Sequence, residues 1–379
     1  MREEVRSPAM IHSIKIKGYR SFKNYSVDNI GRINLLVGKN NAGKSSLLEA
    51  LYLLWSGANL TALWQVLSKR GEQPMIDFQS GRPLQQEVDI THIFPGHQAQ
   101  MGSQFSIYAT NQQTNYSIKL ELVEAKPEDN PILFNMITSQ ESAGAPIALK
   151  IIVQDKSMPP IPLTQRGSLR NDVYNQALNI TRTMQKQSNL AEYLTTESLN
   201  FQQLQLSWNE ITLKPEEERV VEALKFIDSS IERIAPIIGQ PFFGGFSNNR
   251  GGFLIKRKGE EPIPIGSLGD GIWRMFALAV TLSRTKNGVV LIDEIDTGLH
   301  YTVMEKMWSF VNEVSKEFNI QVFATTHSND CIQALSKICS DRDDSNDISI
   351  QRIEFGKENA IPYSESDIKS ASRQNIEMR

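Results

Sequence analysis

The run Gly38-Lys39-Asn40-Asn41-Ala42-Gly43-Lys44-Ser45 has the residue types and spacing to hold a polyphosphate. Its glycines let the backbone wrap closely around an anion, and the helix that follows turns free N–H groups toward it. Lys44 supplies a point charge for β- and γ-phosphates, and the Ser45 hydroxyl is of the type that ligates Mg2+. Gly38, Asn40, Asn41, Ala42, Gly43, Lys44, Ser45 and Ser46 are therefore the expected nucleotide contacts. A second group lies far along the chain, where Val289-Val290-Leu291-Ile292-Asp293-Glu294 is an apolar run ending in two carboxylates. Asp293 is suited to hold Mg2+, directly or through water, and Glu294 to polarise a water that attacks the terminal phosphate. About thirty residues on, Val322-Phe323-Ala324-Thr325-Thr326 ends at His327, which can donate to that phosphate and sense its loss. Ser267-Leu268-Gly269-Asp270-Gly271 opens a helix and offers another anion-binding terminus. One chain already has its phosphate loop, so this second terminus is expected to serve the nucleotide of a neighbouring subunit.

These groups need a scaffold that brings them to one edge. Ile33–Val37 reads as a buried strand into the loop and Ser46–Leu54 as the amphipathic helix out of it. Ile11–Tyr19 alternates apolar and polar residues as a half-buried strand does, and Tyr25–Val27 makes a second. Leu60–Arg70 reads as helix, followed by a Gln/Gly/Pro-rich segment over 73–86. Strand-like runs follow at Phe105–Thr110, Tyr116–Val123 and Ile147–Val153, and Asp172–Ile238 reads mostly as helix. From Gly251 onward, strands at Phe253–Lys256, Gly288–Ile292, Gln321–Ala324 and Ile348–Phe355 alternate with helices at Gly271–Arg284, Val303–Phe318 and Asp330–Ser340. That alternation implies a mostly parallel sheet with helices on its faces, an α/β fold. At the carboxyl edge of such a sheet, Asp293 and Glu294 stand beside the phosphate loop. The chain divides into an N-terminal lobe (1–80), an inserted strand and helix region (81–235) and a C-terminal lobe (236–379).

Composition narrows the classes. A net charge of −3 over 379 residues gives no general affinity for nucleic acid, so DNA contact would need a local basic patch. Two such clusters occur, Lys15, Lys17, Arg20 and Lys23, and Arg250, Lys256, Arg257 and Lys258; a solvated face is the commoner origin of such a cluster. Cys331 and Cys339 lack zinc spacing and read as core filler in a reduced, cytoplasmic setting. No apolar run approaches the ~18–20 residues that span a bilayer, so no membrane partner is expected. Residues 1–9 lack an apolar signal core and read as a loose leader, with Met10 as a second candidate start.

Together, the phosphate loop, Ser267-x-Gly269-Asp270-Gly271, the run Asp293 to His300 and Thr325-Thr326-His327-Ser328 resemble the ABC-type ATPase heads of the SMC, RecF and OLD class. Ile14–Phe22 is similar to that group's opening. The nearest resemblance is to stand-alone OLD-like AAA-family ATPases, often found in bacterial anti-phage systems beside a nuclease; the ending Ile376–Arg379 also looks like theirs. It covers about 10–70 and 235–379. It implies a P-loop NTPase head with a mostly parallel sheet, an antiparallel β subdomain and an inserted α+β region, using ATP and Mg2+. Carried over, Lys44 and Ser45 belong to Walker A, and Asp293 and Glu294 to Walker B. Ser267, Gly269 and Gly271 become the signature loop acting across a dimer, Asp296 the D-loop acid, His327 the switch histidine and Arg20 a nucleotide contact. The expected glutamine loop has three candidates, Gln86, Gln98 and Gln100. Asp341-Arg342-Asp343 has the spacing of a Toprim pair but sits in a polar turn with too little chain after it, so any nuclease is expected on a separate protein.

Three functions compete on these residues. The first is an ATP-driven switch whose dimeric heads, a homodimer or higher oligomer, are read by double-stranded DNA or a nuclease effector. The second is a nucleotide-binding scaffold with negligible turnover, against which the intact Glu294 argues. The third is a transporter subunit, disfavoured because about 220 residues separate the phosphate loop from the signature and the signature is not Leu-Ser-Gly-Gly-Gln. No Asn-Lys-x-Asp guanine reader is present, and ATP is preferred by analogy.

Overall fold

Five parallel strands carry the chemistry of this chain to one edge. The computed structural model describes residues 10–73, 86–111, 114–139, 147–181, 191–195, 201–237, 252–340, 347–374 and 376–378. The parallel strands run in the order Ala191–Leu194, Val289–Ile292, Gln321–Thr325, Ile33–Val37 and Ile348–Arg352, and Ile361–Tyr363 adds an antiparallel edge. Their register is continuous: Leu194, Ile292, Ala324, Leu35 and Ile350 lie in one row across the sheet. The segments after Leu194, Ile292, Thr325 and Val37 therefore emerge at the same edge.

Both faces of this sheet are covered, which is why its central strands are uninterrupted apolar runs rather than alternating ones. Leu36, Val289, Leu291 and Phe323 face one core, together with the helix Lys44–Trp55. Ile33, Leu35, Val37, Val290, Ile292, Val322 and Ala324 face the other, with the helices Asp270–Arg284 and Tyr301–Glu317. The first core is closed by an antiparallel sheet in the order Phe22–Val27, Ser13–Tyr19, Gln104–Thr110, Asn115–Glu124, Ile147–Val153. In it Ile14 and Ile16 turn inward and Lys15 and Lys17 outward, as the alternation predicts. A small sheet of Ile231–Pro236, Phe253–Arg257 and Ile263–Pro264 leads into Asp270–Arg284.

The parallel sheet and the antiparallel subdomain agree with the sequence reading. The stretch Asp172–Ile238 does not read through as helix. It holds the helices Asn171–Thr181, Phe201–Ile211 and Pro215–Lys225, but also the strands Ala191–Leu194 and Ile231–Pro236. Ala191–Leu194 is the outer strand of the parallel sheet itself. The strands over 104–153 likewise continue the sheet begun by Ser13–Val27, so residues read as inserted share ladders with both flanking lobes. Asp341–Asp343 and Arg250 lie outside the described residues. Among the described residues, no helix is long and apolar enough to cross a membrane.

Candidate active site

The loop between Val37 and Lys44 is fixed by its close approach to the strand Ile348–Arg352. Ile353 N–H donates to Val37 O at 2.8 Å, and Gly38 follows at φ 138, where an added Cβ would lie 2.2 Å from Ile353 O. Only glycine fits there. The helix Lys44–Trp55 then begins with no side-chain cap on its first N–H groups, leaving a positive terminus open to an anion. Lys44 folds back over this loop, its Nζ donating to Gly38 O at 2.8 Å and Lys39 O at 3.0 Å. Burial pushes the Lys44 ammonium below its ordinary pKa, and Asp293 and Glu294 pull in the opposite direction.

Ser45 and Asp293, 248 residues apart, meet where Ser45 Oγ donates to Asp293 Oδ1 at 3.3 Å. Thr325 on the adjacent strand donates to the same oxygen at 2.6 Å, and its hydroxyl accepts from Glu294 N–H at 2.8 Å. Glu294 has φ 50, a left-handed conformation costing a residue with a Cβ about 1–2 kcal/mol. Its carboxylate Oε2 accepts from Thr297 Oγ1 at 3.0 Å. Asp296 accepts from Thr326 Oγ1 at 2.6 Å, and His327 is exposed at the end of the same strand. Asp293 and Asp296 are thus held by consecutive threonines of the neighbouring strand, and the Glu294 carboxylate by Thr297 of its own turn.

The segment Ser267–Gly271 packs elsewhere. Ser267 and Gly269 are exposed, and Gly269 caps Asp270–Arg284 with no side-chain hydrogen bond. Gly271 lies against the turn after Asp296, where an added Cβ would come within 2.7 Å of Gly298 O. Arg274, one turn into that helix, donates to Thr195 O at 2.9 Å and Glu294 O at 3.1 Å.

Two of the expected groups sit in surroundings that the sequence reading did not anticipate. Arg20 is only 5% exposed, and its guanidinium is committed to acids behind the loop helix: Nε lies 2.8 Å from Glu49 Oε2, while Nη1 and Nη2 reach Glu72 at 2.5 and 2.9 Å. Every guanidinium nitrogen has a partner among these acids. Arg70 completes the cluster, reaching Glu49 at 2.6 Å and Ser46 Oγ at 3.1 Å. The glutamine candidates lie ahead of antiparallel strands, Gln86 before Glu87–Asp89 and Gln98 and Gln100 before Gln104–Thr110. The strand that ends beside Asp293 is Ala191–Leu194, whose Leu194 O accepts from Asp293 N–H at 2.8 Å. Thr195 follows it and, with Ser45, Asp293, Glu49, Arg70 and Tyr193, lines a cavity of about 240 Å³.

Thr325, Arg274 and the Arg20–Glu49–Arg70 cluster are the groups that sequence reasoning missed. Thr325 stood within a motif read only for its histidine. Arg274 and Arg70 carried no local pattern.

Comparison with known proteins agrees with this geometry. Residues 10–129 match the AAA ATPase domain, and residues 165–330 match an AAA domain described as a putative AbiEii toxin of a type IV TA system. An ATP/GTP phosphatase of Helicobacter pylori is 25% identical over 358 residues, 88% of this chain and 90% of that protein. The DNA replication and repair protein RecF of Oenococcus oeni is 33% identical over 139 residues, 31% of this chain and 32% of RecF. Among solved structures, an Smc head bound to the C-terminal winged-helix domain of ScpA superposes with TM-score 0.52 at 15% identity, over 96% of this chain and all of that one. A Pyrococcus furiosus Smc head, bound to the C-terminal domain of ScpA, gives 0.51 at 12% identity, over 97% of this chain and all of that one. The chain has an Smc-head-like α/β P-loop ATPase fold, and its AAA ATPase match and its ATP/GTP phosphatase relative support ATP hydrolysis.

Proposed function

We propose that this ATPase closes as a dimer around ATP and acts as a nucleotide-driven switch for a separate effector in a DNA-processing or anti-phage system. The observation that carries this reading is the separation of two anion-ready helix termini on one chain. The phosphate loop has its own lysine, hydroxyl and acids, while the exposed Ser267–Gly271 terminus rests on the Gly298 turn. A second copy supplies the phosphate that the second terminus lacks.

In this reading Gly38 and Asn40 to Ser46 surround the phosphates, and Lys44 turns from the loop carbonyls to the β- and γ-oxygens. Ser45 and Asp293 are hard oxygen donors already drawn together, a set that suits Mg2+, which would neutralise charge on those oxygens. Glu294 orients the attacking water and takes its proton. His327 donates to the γ-phosphate, and Asp296 with Ser267, Gly269 and Gly271 closes the site from the other copy.

The resemblance to OLD-like ATPases supports a nuclease or Toprim-type effector as a separate cytoplasmic protein. Support for duplex DNA is the outward row of Lys15, Lys17 and Lys23 on the antiparallel sheet, all exposed. The test is Glu294→Gln with saturating ATP and Mg2+. Light scattering should find a trapped dimer, and phosphate release should fall about 10²–10⁴-fold, the usual worth of a general base. A monomer under those conditions overturns the dimeric switch. Phosphate release by the native protein, with and without duplex DNA, tests the coupling.

A further inference from the structure

Arg274 is a buried cation whose donors go to backbone rather than to a carboxylate. It is 9% exposed on the Asp270–Arg284 helix, between the buried side chains of Trp273 and Met275. Nη1 donates to Thr195 O at 2.9 Å, and Nη2 reaches Glu294 O at 3.1 Å and Asp293 O at 3.5 Å. One planar fork therefore spans the carboxyl ends of two adjacent parallel strands, at the residues that flank the catalytic edge. Burying a guanidinium is costly unless its hydrogen bonds are well made, so core packing alone does not account for an arginine here.

The carbonyl it holds belongs to an acid in left-handed backbone at the site itself. Glu294 at φ 50 persists only if its surroundings over-determine it. Three bonds do so: its N–H to Thr325 Oγ1, and its C=O from Thr297 N–H at 3.1 Å and from Arg274. The arginine also packs along the Gly298 turn, where an added Cβ would lie 3.7 Å from Arg274 Cγ. Gly271, at the start of the same helix, touches Gly298 O. A shift of the helix start is therefore carried to the backbone of Glu294 through one side chain.

We infer that Arg274 is a positioning residue for hydrolysis: it holds Glu294 in its left-handed conformation and couples the aim of that carboxylate to the helix opening at Gly269. This rests on Glu294 acting as the base.

The test uses the full chain as Arg274→Ala, Glu294→Gln and the double variant, with steady-state ATP turnover, KM for ATP and thermal melting. Misaiming a base by about 1 Å costs about 10²-fold. Arg274→Ala should therefore lose about that much in kcat, with KM within about threefold, the signature of a lost transition-state interaction. On the Glu294→Gln background it should cost nothing more, because residues acting as one unit are not additive. Should the alanine variant lack a native melting transition, Arg274→Lys, which keeps the charge and loses the fork, carries the same test. A normal kcat in Arg274→Ala beside an inactive Glu294→Gln overturns the inference alone, and so does a fully additive double variant. Unchanged turnover in Glu294→Gln overturns the base assignment as well, and that single variant reports it.

Discussion

Thr325 and Asp293 share a 2.6 Å hydrogen bond between neighbouring parallel strands, and the same hydroxyl accepts the N–H of Glu294 at 2.8 Å. One β-branched side chain thus orients the proposed metal ligand and the backbone of the proposed base. It works because Ala324 and Ile292 are in register, which sets the next residues of both strands side by side at the carboxyl edge.

Thr325→Val keeps the shape and removes the hydroxyl. It leaves Glu294 N–H and one Asp293 oxygen short of a partner, a loss of about 1–3 kcal/mol for a buried group. Groups that orient a metal ligand are typically worth about 10–100-fold in metal affinity. Turnover should therefore need about tenfold more Mg2+ for half-saturation in the valine variant, while Thr325→Ser stays close to native. A Mg2+ titration of ATP turnover, with urea unfolding alongside, checks both.

Gly271→Ala tests the contact between the Ser267–Gly271 segment and the turn after Asp296. The new Cβ would stand 2.7 Å from Gly298 O, a backbone atom that cannot step aside as a side-chain tip can. The helix start must shift while the phosphate loop, in the other core, is untouched. Binding of a fluorescent ATP analogue should stay within about threefold of native while kcat falls at least about tenfold, because only the transition-state geometry is disturbed. Parallel loss of binding would mean that the substitution reaches the phosphate loop itself.

Much of this site was legible because its parts are contiguous. The loop follows a five-residue apolar strand and opens a helix, and Asp293-Glu294 ends another, so short-range pattern placed both correctly. What was not legible is long-range. Ala191–Leu194 is four residues long, carries Glu192 on an outer strand, and sits in a polar stretch whose helical content is real on both sides. Nothing in its period distinguishes it from a frayed helix. Arg274 lies in a helix that is buried nearly all round, where an arginine reads as the solvent-facing position. Only the fold shows that three carbonyls from two other strands converge on it. Arg20 was legible only by its place in a familiar opening; its partners Glu49 and Glu72 lie within and just after helices whose period says nothing of that pairing.

The Arg20 cluster makes a prediction about stability rather than turnover. Glu49 is buried, pairs with the Arg20 guanidinium, and accepts from Arg70 and from Tyr19, the last at 3.2 Å. Burial raises its pKa and the two arginines oppose that rise. Removing one member of a buried pair costs about 3–5 kcal/mol, an upper bound here because Arg70 still pairs with Glu49. Arg20→Ala should lower unfolding stability by up to that amount, yet the folded fraction should bind ATP within about threefold of native, since the guanidinium is taken up by Glu49 and Glu72. Denaturant titration and nucleotide binding separate the two effects; a selective loss of ATP affinity at full stability would restore Arg20 as a ligand contact.

The buried thiol of Cys331 sets a limit at high pH. Burial pushes it from 9.0 up to about 12, with Asp296 adding to the rise. An acid whose folded pKa lies above its unfolded value binds its proton more tightly when folded. Its contribution is therefore whole below about pH 9 and is lost as pH climbs toward about 12. Across that window one such group gives a slope of about 1.4 kcal/mol per pH unit. Urea midpoints measured from pH 8 to 11 should fall steadily, and Cys331→Ala should flatten the fall after allowance for its own cavity. Because Cys331 and Cys339 are both fully buried, a thiol reagent at pH 8 should label neither until the protein unfolds. Rapid labelling of the native protein would show that the core around the Asn329–Ser340 helix opens locally, and the alkaline slope would then shrink with it.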